Sequence, residues 1–403
     1  MKIAIETLGC KLNQAETEAL QRQFVKAGCK LVQQPAEADV YILNTCTVTH
    51  TADAKARHLL RMTHRQNPDI FIIVTGCYAQ RAAAELTAIA GVNRIVDNSE
   101  KPNLLEIVKN IPMKCNPEIA EPQKSSTFRT RSFLKIQDGC QNFCSYCIVP
   151  FVRSCETSVP PVAIIDEINK RTAEGYQEVA LTGTRLGGYH FEGLDLTGLL
   201  QRILAETKIP RVRLSSVQPQ EISGELIKLW QDARLCPHFH LSLQSGSAAV
   251  LKRMNRRYSP ADYQKAVKLI RQKVPAVAIT TDVIVGFPGE TDAEFEESLE
   301  FCKQSGFARI HVFSYSPRSG TAAVKMAAQV TDKIKKERSK KMLVLAAESA
   351  QQFRESFAGE ALDVLWEKQT DDGDWTGMTG NYIRVFAKSK EDLSNKKSKI
   401  KIQ

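Results

Sequence analysis

Three cysteines close together in the sequence have the spacing of an iron–sulfur ligand set. They are Cys140, Cys144 and Cys147, in a C-x3-C-x2-C pattern. Three thiolates can hold three irons of a four-iron, four-sulfur cluster and leave the fourth iron open to another ligand. Structural zinc usually takes four protein ligands in paired C-x2-C motifs, which this spacing does not supply. We therefore predict a four-iron cluster at these cysteines.

Three further cysteines, far apart in the sequence, each follow a short apolar run with the length of a β-strand. In chain order they are Cys10 after residues 2–7, Cys46 after residues 40–44, and Cys77 after residues 70–75. Each run is followed by a helical pattern, which predicts a doubly wound parallel α/β domain over residues 1–110. Because the ends of parallel strands share one edge, these cysteines are expected to form a second metal centre there. The alternative is that they are three core residues.

The remaining cysteines and the lack of export signals are consistent with a reducing compartment. The chain has 403 residues and eleven cysteines, and neither a secretory signal at its start nor an apolar run of 18 residues is present. We therefore expect a cytoplasmic protein that does not bind membranes and has no disulfides. Five cysteines are predicted to be small core hydrophobes: Cys29, Cys115, Cys155, Cys236 and Cys302.

A second alternation of strands and helices positions the first cysteine set. Residues 111–130 contain three prolines and are predicted to be a linker. Residues 131–357 then contain six strand-like runs with helical patterns between them, which predicts a partial (β/α)6 barrel. The runs are residues 133–137, 178–182, 211–215, 238–243, 278–285 and 309–314. Functional groups in such barrels lie on the loops that follow the strands, and Cys140 follows the first strand.

The C-terminal part of the chain predicts a long helix and a small β-barrel. The helix covers residues 333–357, and residues 358–403 contain short strands that predict a β-barrel that binds RNA. This region is short for such a barrel, so an incomplete barrel is the alternative. The net charge is +10, and residues 332–341 and 388–403 each hold six basic against two acidic residues, a net of +4. Clustered positive charge favours a nucleic-acid partner, although a solvated helix face or tail is the alternative.

The cysteine motif and its surroundings resemble a known superfamily. The triad has Tyr146 just before its last cysteine, as in radical S-adenosylmethionine (SAM) enzymes. The whole chain is similar to the methylthiotransferases, which combine an N-terminal domain with three cluster cysteines, a radical SAM barrel and a C-terminal TRAM module. Residues 7–17 (TLGCKLNQAET) and 133–140 (FLKIQDGC) resemble the branch that acts on N6-threonylcarbamoyladenosine in transfer RNA.

This resemblance implies two four-iron clusters and SAM as cofactors. One cluster is expected on Cys10, Cys46 and Cys77 and the other on the barrel triad, while no side chain is assigned as a catalyst. Five residues are candidate SAM contacts: Tyr146, Thr182, Gly183, Gln244 and Gly286. Each has a structural alternative, since Tyr146 could be a core aromatic, Gly286 a turn glycine and Gln244 a turn residue.

The implied activity is the addition of a methylthio group to C2 of an adenosine next to the anticodon. One SAM methylates a sulfur held at the N-terminal cluster, and a second SAM, cleaved at the barrel cluster, supplies the radical that activates C2. The implied partners are tRNA, an electron donor such as flavodoxin or ferredoxin, and a source of sulfur. A tRNA loop nucleotide can be splayed into a protein pocket for such chemistry.

Three alternatives remain open on the sequence alone. The same chemistry could act on isopentenyl-adenosine in tRNA or on an aspartate of a ribosomal protein. The chain could also be a non-catalytic iron–sulfur protein that binds RNA. Ser154 and Val159 motivate this last alternative, because the family usually has Gly and Arg at these two positions.

Overall fold

The computed structural model describes residues 1–112 and 130–402. Most of the predicted linker, and Cys115 within it, therefore lies outside the described residues. Within them, three groups of elements follow each other along the chain: a parallel sheet with helices, a curved parallel β/α array and a small antiparallel sheet. This order confirms the predicted fold class. In the described part of the chain, no helix is both long and apolar enough to cross a membrane.

The N-terminal sheet has five parallel strands in the order β2-β1-β3-β4-β5. The strands are β1 (Lys2–Thr7), β2 (Lys30–Leu31), β3 (Val40–Thr45), β4 (Phe71–Gly76) and β5 (Val92–Val96). The helices are α1 (Lys11–Lys26), α2 (His50–Gln66), α3 (Cys77–Arg81), α4 (Ala83–Thr87) and α5 (Leu104–Lys109). Every residue of β3 is buried: Tyr41 and Leu43 belong to one core and Val40 and Ile42 to another. Helices on both faces explain why these strands are continuous apolar runs.

The central array is a partial barrel of mainly parallel strands, to which two short antiparallel pairings are added. Its strands are β6 (Arg131–Asp138), β7 (Thr157–Ser158), β8 (Glu178–Gly183), β9 (His190–Phe191), β10 (Leu194–Asp195), β11 (Arg211–Leu214), β12 (Ser216–Val217), β13 (His238–Leu241), β14 (Ala278–Val285) and β15 (Arg309–Ser314). Its helices are α6 (Val149–Val152), α7 (Pro161–Ala173), α8 (Leu196–Glu206), α9 (Gly224–Lys228), α10 (Ala248–Arg253), α11 (Pro260–Lys273), α12 (Asp292–Ser305) and α13 (Asp332–Glu355). The two sheets have the orders β11-β8-β6-β7 and β12-β13-β14-β15.

The predicted third barrel strand, residues 211–215, ends one residue early in the structure, at Leu214, and a separate short strand, β12, begins at Ser216. Strand β11 pairs with β8, whereas β12 pairs with β13. The N–H of Ser215, between them, donates to the carbonyl of Leu181 at 3.0 Å. The chain therefore changes sheets at Ser215, and this change lets one six-unit array curve around a shared interior.

The C-terminal strands form one antiparallel sheet in the order β18-β17-β16-β19. They are β16 (Ala361–Gln369), β17 (Trp375–Thr379), β18 (Arg384–Ala387) and β19 (Lys397–Lys401). Phe357, Trp366 and Trp375 are in its core. The sequence analysis did not identify β17, whose sequence WTGMT has a central glycine, although all five of its residues are buried.

Both flanking groups of elements are bound to the barrel by polar contacts. The Glu18 carboxylate of α1 accepts hydrogen bonds from Ser132 Oγ (2.6 Å) and the Phe133 N–H (3.2 Å) at the barrel edge. On the other side, the Arg211 guanidinium donates to the carbonyl of Asp363 at 2.7 Å. The N-terminal α/β elements and the C-terminal sheet are therefore both attached to the barrel.

Candidate iron–sulfur and cofactor site

The three N-terminal cysteines lie near one another at the carboxyl edge of the first sheet. Cys10 is the N-cap of α1, Cys46 follows β3 and Cys77 is the first residue of α3. The pKa of the Cys46 thiol is raised to about 12, chiefly by burial, with smaller contributions from the nearby Cys77 and Cys10. Burial likewise raises the pKa of Cys10, with Cys77 contributing. Three mutually interacting thiols therefore converge on one rim.

A glycine and an asparagine bring these loops together. Gly9 has a φ of +107°, and a Cβ at this position would lie 2.5 Å from the Cβ of Cys46. Only glycine permits both this backbone conformation and this approach. The Asn13 side-chain amide donates to the carbonyls of Leu8 and Thr45, each at 2.9 Å. Asn13 thus connects the loop before α1 to the loop after β3.

The barrel cysteines occupy one compact loop after β6. The Cys147 N–H donates to the carbonyl of Cys144 at 2.9 Å. Burial raises the pKa of the Cys147 thiol to about 12, and the neighbouring Cys144 and Cys140 add to this effect. Arg256 Nη1 lies 3.3 Å from Cys144 Sγ and donates to it. The three sulfurs therefore share one half-buried environment beside a cation.

Neither cysteine set is arranged around a single metal ion. The six cysteines of the two sets are free thiols. Among the described residues, no three Cys, His, Asp or Glu side chains are close enough to hold one ion. A cluster places its protein thiolates farther apart than a single ion does, because each thiolate binds a different iron. Guanidinium donors to the sulfurs also suit ligands that must be negatively charged.

Arg153 connects the two cysteine sets, and the sequence analysis gave it no role. Its guanidinium donates from Nε to Cys77 Sγ (3.4 Å) and from Nη1 to Asp138 Oδ2 (2.7 Å). Two further bonds, of 2.9 Å and 3.0 Å, reach the carboxylate of Glu16. The Arg153 carbonyl accepts the N–H of Cys140 at 3.4 Å. The buried side chain of Arg153 therefore contacts Cys77 of the N-terminal set, while its backbone contacts Cys140 of the barrel set.

A cavity of about 180 Å³ lies beside Cys147 and is lined by both domains. Its walls include Tyr146, Gln244 and Asp282 from the barrel and Val48 and Thr49 from the N-terminal domain. Gln244 has a φ of +71°, in the left-handed region that is unusual for a residue with a side chain. Such strained positions cluster at functional sites. Two of the five candidate SAM contacts, Tyr146 and Gln244, are thus brought together next to the triad.

The other three candidate SAM contacts do not line this cavity. A Cβ at Gly183 would lie 2.9 Å from the Gln137 amide oxygen, and Thr182 is buried in the same strand. Gly286 has a φ of +69°, and a Cβ there would lie 2.4 Å from Lys335 Cγ. The Gly286 N–H already donates to Glu290 at 2.6 Å. Packing therefore explains both glycines, and their contact with SAM stays a prediction.

The predicted burial of the remaining cysteines is correct for two of them and wrong for one. Cys236 and Cys302 are buried, and Cys29 is half-buried. Cys155 is exposed, because its backbone carbonyl packs against Gly139, where a Cβ would approach that oxygen to 1.9 Å. This backbone contact leaves the Cys155 side chain on the surface.

Two family profiles match consecutive parts of the chain. Residues 2–97 match the uncharacterized protein family UPF0004, and residues 134–302 match the radical SAM superfamily. Among solved structures, the radical S-adenosylmethionine methyltransferase TsrM from Kitasatospora setae has a TM-score of 0.57 at 15% identity and covers 77% of this chain and 72% of its own. OxsB, a cobalamin-dependent S-adenosylmethionine radical enzyme, has a TM-score of 0.52 at 14% identity, with coverages of 87% and 56%. These similarities support the fold.

Two kinds of curated relative align with nearly the whole chain. Threonylcarbamoyladenosine tRNA methylthiotransferase MtaB of Bacillus subtilis is 37% identical and covers 99% of this chain and 93% of its own. The protein of the same name from Aquifex aeolicus is also 37% identical, with coverages of 96% and 96%. The tRNA-2-methylthio-N(6)-dimethylallyladenosine synthase of Endomicrobium trichonymphae is 34% identical, with coverages of 100% and 97%.

Proposed function

Because the chain belongs to the radical SAM methylthiotransferase family, we propose that it methylthiolates C2 of N6-threonylcarbamoyladenosine next to the anticodon of tRNA. The observation that carries this proposal is the pair of cysteine triads on either side of Arg153. A radical site alone would explain only the barrel triad, whereas sulfur insertion needs a second thiolate-held centre. The threonylcarbamoyl relatives at 37% identity support this substrate over the dimethylallyl one.

Each triad is proposed to hold its own four-iron cluster. When bound, the clusters and SAM supply the one-electron and sulfur chemistry. The chain's own part is to hold the thiolates and stabilise their negative charge. Arg256 donates to Cys144 Sγ at 3.3 Å, and Arg153 donates to Cys77 Sγ at 3.4 Å. Hydrogen bonds of this kind to ligand sulfurs shift the reduction potential of a cluster.

The cavity beside Cys147 is proposed to bind SAM. Tyr146 offers an aromatic face for the adenine, and Gln244 offers polar contacts. Val48 and Thr49 of the N-terminal domain cover the same cavity, so that docking of the two domains restricts the entry of water. Three further residues remain candidate contacts for a part of SAM that extends beyond this cavity, namely Thr182, Gly183 and Gly286.

The C-terminal sheet is proposed to contact tRNA as the predicted TRAM-like module. Lys397, Lys399 and Lys401 alternate along β19 and are all exposed, so they present three cations on one side of the strand. Such a row suits a phosphate backbone. Two further partners are required by the chemistry, namely an electron donor of the flavodoxin or ferredoxin class and a source of the transferred sulfur.

Nucleoside mass spectrometry of tRNA tests the assignment. Deleting the gene should remove 2-methylthio-N6-threonylcarbamoyladenosine and leave its unthiolated precursor. The wild-type gene should restore the product, whereas Cys46→Ala and Cys144→Ala variants should not. Loss of 2-methylthio-N6-dimethylallyladenosine instead would support the alternative tRNA substrate. If neither nucleoside changed, in a strain with no second enzyme of this kind, tRNA methylthiolation would be contradicted.

A further inference from the structure

A lysine from the N-terminal domain reaches the interior of the barrel. Lys11 follows Cys10 at the start of α1, and its Nζ lies 5.6 Å from the centre of the Tyr382 ring, which comes from the C-terminal sheet. The Lys11 charge is also close enough to His238 and His311 to add to the lowering of their pKa values, for which burial is the larger cause. The Tyr382 ring is in turn 4.3 Å from the ring of His238, the first residue of β13, so the ammonium group lies near the start of that strand.

Two other cations in this part of the barrel, Arg131 and Arg213, already have an anionic partner. Arg131 Nε and Arg213 Nε each lie 2.7 Å from the carboxylate of Glu178, which is fully buried. In the described part of the chain, Lys11 forms no ion pair within 4.0 Å and no hydrogen bond through its ammonium group, although it is half-buried. A partly desolvated cation without an anion is costly, so this position favours an anionic ligand.

A chain of polar groups connects this lysine with the proposed SAM cavity. Asp282 lines that cavity and lies 3.2 Å from His240 Nε2. His240 Nδ1 lies 2.9 Å from Thr280 Oγ1, and that hydroxyl lies 3.1 Å from Nε2 of His238, whose ring is 4.3 Å from the Tyr382 ring beside Lys11. This row of polar groups would therefore lead from a substrate nucleobase beside SAM to Lys11 in the barrel interior.

We propose that Lys11 binds the carboxylate of the threonylcarbamoyl group and so distinguishes this substrate from dimethylallyladenosine. The inference rests on the proposed function, because it concerns the substituent on the same adenosine. A threonylcarbamoyl group carries a carboxylate and a hydroxyl, whereas a dimethylallyl group is a hydrocarbon. A cation paired with a carboxylate in a site with little water gives a strong charge-assisted hydrogen bond, and the hydrocarbon would leave the ammonium unpaired.

Equilibrium binding of two anticodon stem-loop RNAs tests the role of Lys11. One RNA carries N6-threonylcarbamoyladenosine, and the other carries the same nucleoside with its carboxylate converted to a primary amide. The reconstituted wild-type enzyme with SAM should bind the acid roughly 10-fold to 100-fold more tightly, as expected for one charge-assisted hydrogen bond. Lys11→Gln should bind both RNAs with the wild-type affinity for the amide, and Lys11→Arg should retain the preference. Lys26→Gln, at the exposed end of the same helix, is the matched control.

The outcomes separate this inference from the function on which it rests. Iron content and SAM cleavage must be equal in the Lys11→Gln and wild-type proteins, which shows that the neighbouring Cys10 is undisturbed. If wild-type enzyme methylthiolates the acid RNA but binds acid and amide alike, or if Lys11→Gln still prefers the acid, the role of Lys11 is overturned while the function stands. If wild-type enzyme methylthiolates only a dimethylallyl RNA, the proposed substrate and the role of Lys11 are both overturned.

Discussion

Arginine side chains contact sulfur atoms in both cysteine sets, at Cys77 and at Cys144. The sequence analysis found the six cysteines from their spacing and their positions after strands, both of which are local features. Arg153 and Arg256 could not be predicted from the sequence, because the cysteines that they contact lie 76 and 112 residues away. Lone arginines have no distinctive spacing. Residues that modify a site therefore become visible only once the fold brings distant segments together.

Replacement of single cysteines should distinguish the two proposed iron–sulfur cluster sites. The reconstituted wild-type protein should carry about eight irons per chain if each triad holds a four-iron cluster. Cys46→Ala should lose roughly half of this iron and form no methylthio product, but it should still cleave SAM to 5′-deoxyadenosine because the barrel triad is intact. Cys144→Ala should instead lose SAM cleavage and keep the N-terminal iron. Full iron and full product formation by the Cys46 variant would make Cys10, Cys46 and Cys77 core residues.

Arg153→Met should be strongly destabilising. It removes the cation that the buried carboxylate of Glu16 and the carboxylate of Asp138 share, at 2.9 Å and 2.7 Å. Breaking a buried ion pair by removing one partner costs about 3–5 kcal/mol. Urea unfolding of the metal-free protein should show this loss. Arg202→Met is the control, because Arg202 pairs with Glu206 on the surface of one helix. The urea midpoint of this variant should hardly differ from that of the wild type. Equal midpoints for the two variants would contradict a structural role for Arg153.

At the scale of elements, helix and strand bounds were predicted best where the pattern is long and regular. The sequence predicts helices over residues 161–173, 196–206 and 292–305, and α7, α8 and α12 have these bounds. Strands β14 and β15 also have their predicted bounds. Errors occur where tertiary structure overrides the pattern, as at Ser215, where the chain changes sheets, and at β17, whose Gly377 resembles a turn signal. At Gly377 a Cβ would lie 2.9 Å from the Leu365 carbonyl oxygen, so this glycine serves close packing between strands and not a turn.

The structure divides the basic segment of α13 into two kinds of side chain. Lys335 and Arg338 are buried, and Arg338 lies 2.7 Å from both Glu290 and Asp292. These two cations hold α13 against the barrel and are unavailable to a polyanion. Lys333, in the same segment, is exposed. Some of the positive charges in this segment therefore stabilise the fold, which the composition of the segment does not show.

The exposed lysines of β19 should contribute to tRNA affinity through phosphate contacts. Replacing Lys397, Lys399 and Lys401 with Gln should weaken binding and make it less sensitive to salt. Each lost phosphate contact should reduce the slope of log affinity against log salt concentration by about 0.7–0.9. Fluorescence anisotropy across a salt series measures this slope. Replacing three exposed lysines of the N-terminal domain, Lys26, Lys30 and Lys55, gives the same change of charge elsewhere. Equal slopes for the two triple variants would make the β19 lysines a solvated tail.

At the scale of the whole molecule, buried ionic groups hold the three parts of the chain together. Burial raises the pKa of Glu16, but the charges of Lys101, Arg153 and Lys135 outweigh this effect and hold it well below its usual range. Lys101 belongs to the N-terminal domain, whereas Arg153 and Lys135 belong to the barrel. Glu178 is likewise desolvated, yet Arg213 and Arg131 lower its pKa to about 2. Arg213 also donates to the carbonyl of Gly380 in the C-terminal region at 2.8 Å.

These groups predict how the stability of the whole protein depends on pH. His238 is buried beside Arg213 and Tyr382, and burial, reinforced by the charge of Arg213, holds its pKa well below the ordinary 6.5. The unfolded chain therefore binds more protons than the folded one below about pH 6.5, so the free energy of unfolding falls as the pH falls. His50 and His311 have pKa values shifted in the same direction. Glu16 and Glu178, whose pKa values are lowered, contribute only below about pH 5, where these carboxylates begin to protonate in the unfolded chain.

Urea midpoints measured between pH 7.5 and pH 5.5 should therefore decrease as the pH falls. His238 alone should account for about 1 kcal/mol at pH 5.5, one pH unit below the ordinary histidine pKa. His238→Gln keeps a polar side chain near Thr280, which accepts or donates a hydrogen bond with His238 Nε2 at 3.1 Å. This variant should be less stable at pH 7.5 but should lose less stability on acidification, since only the other histidines remain. A variant whose midpoint fell as steeply as that of the wild type would show that His238 is not the buried neutral group that links the C-terminal sheet to the barrel.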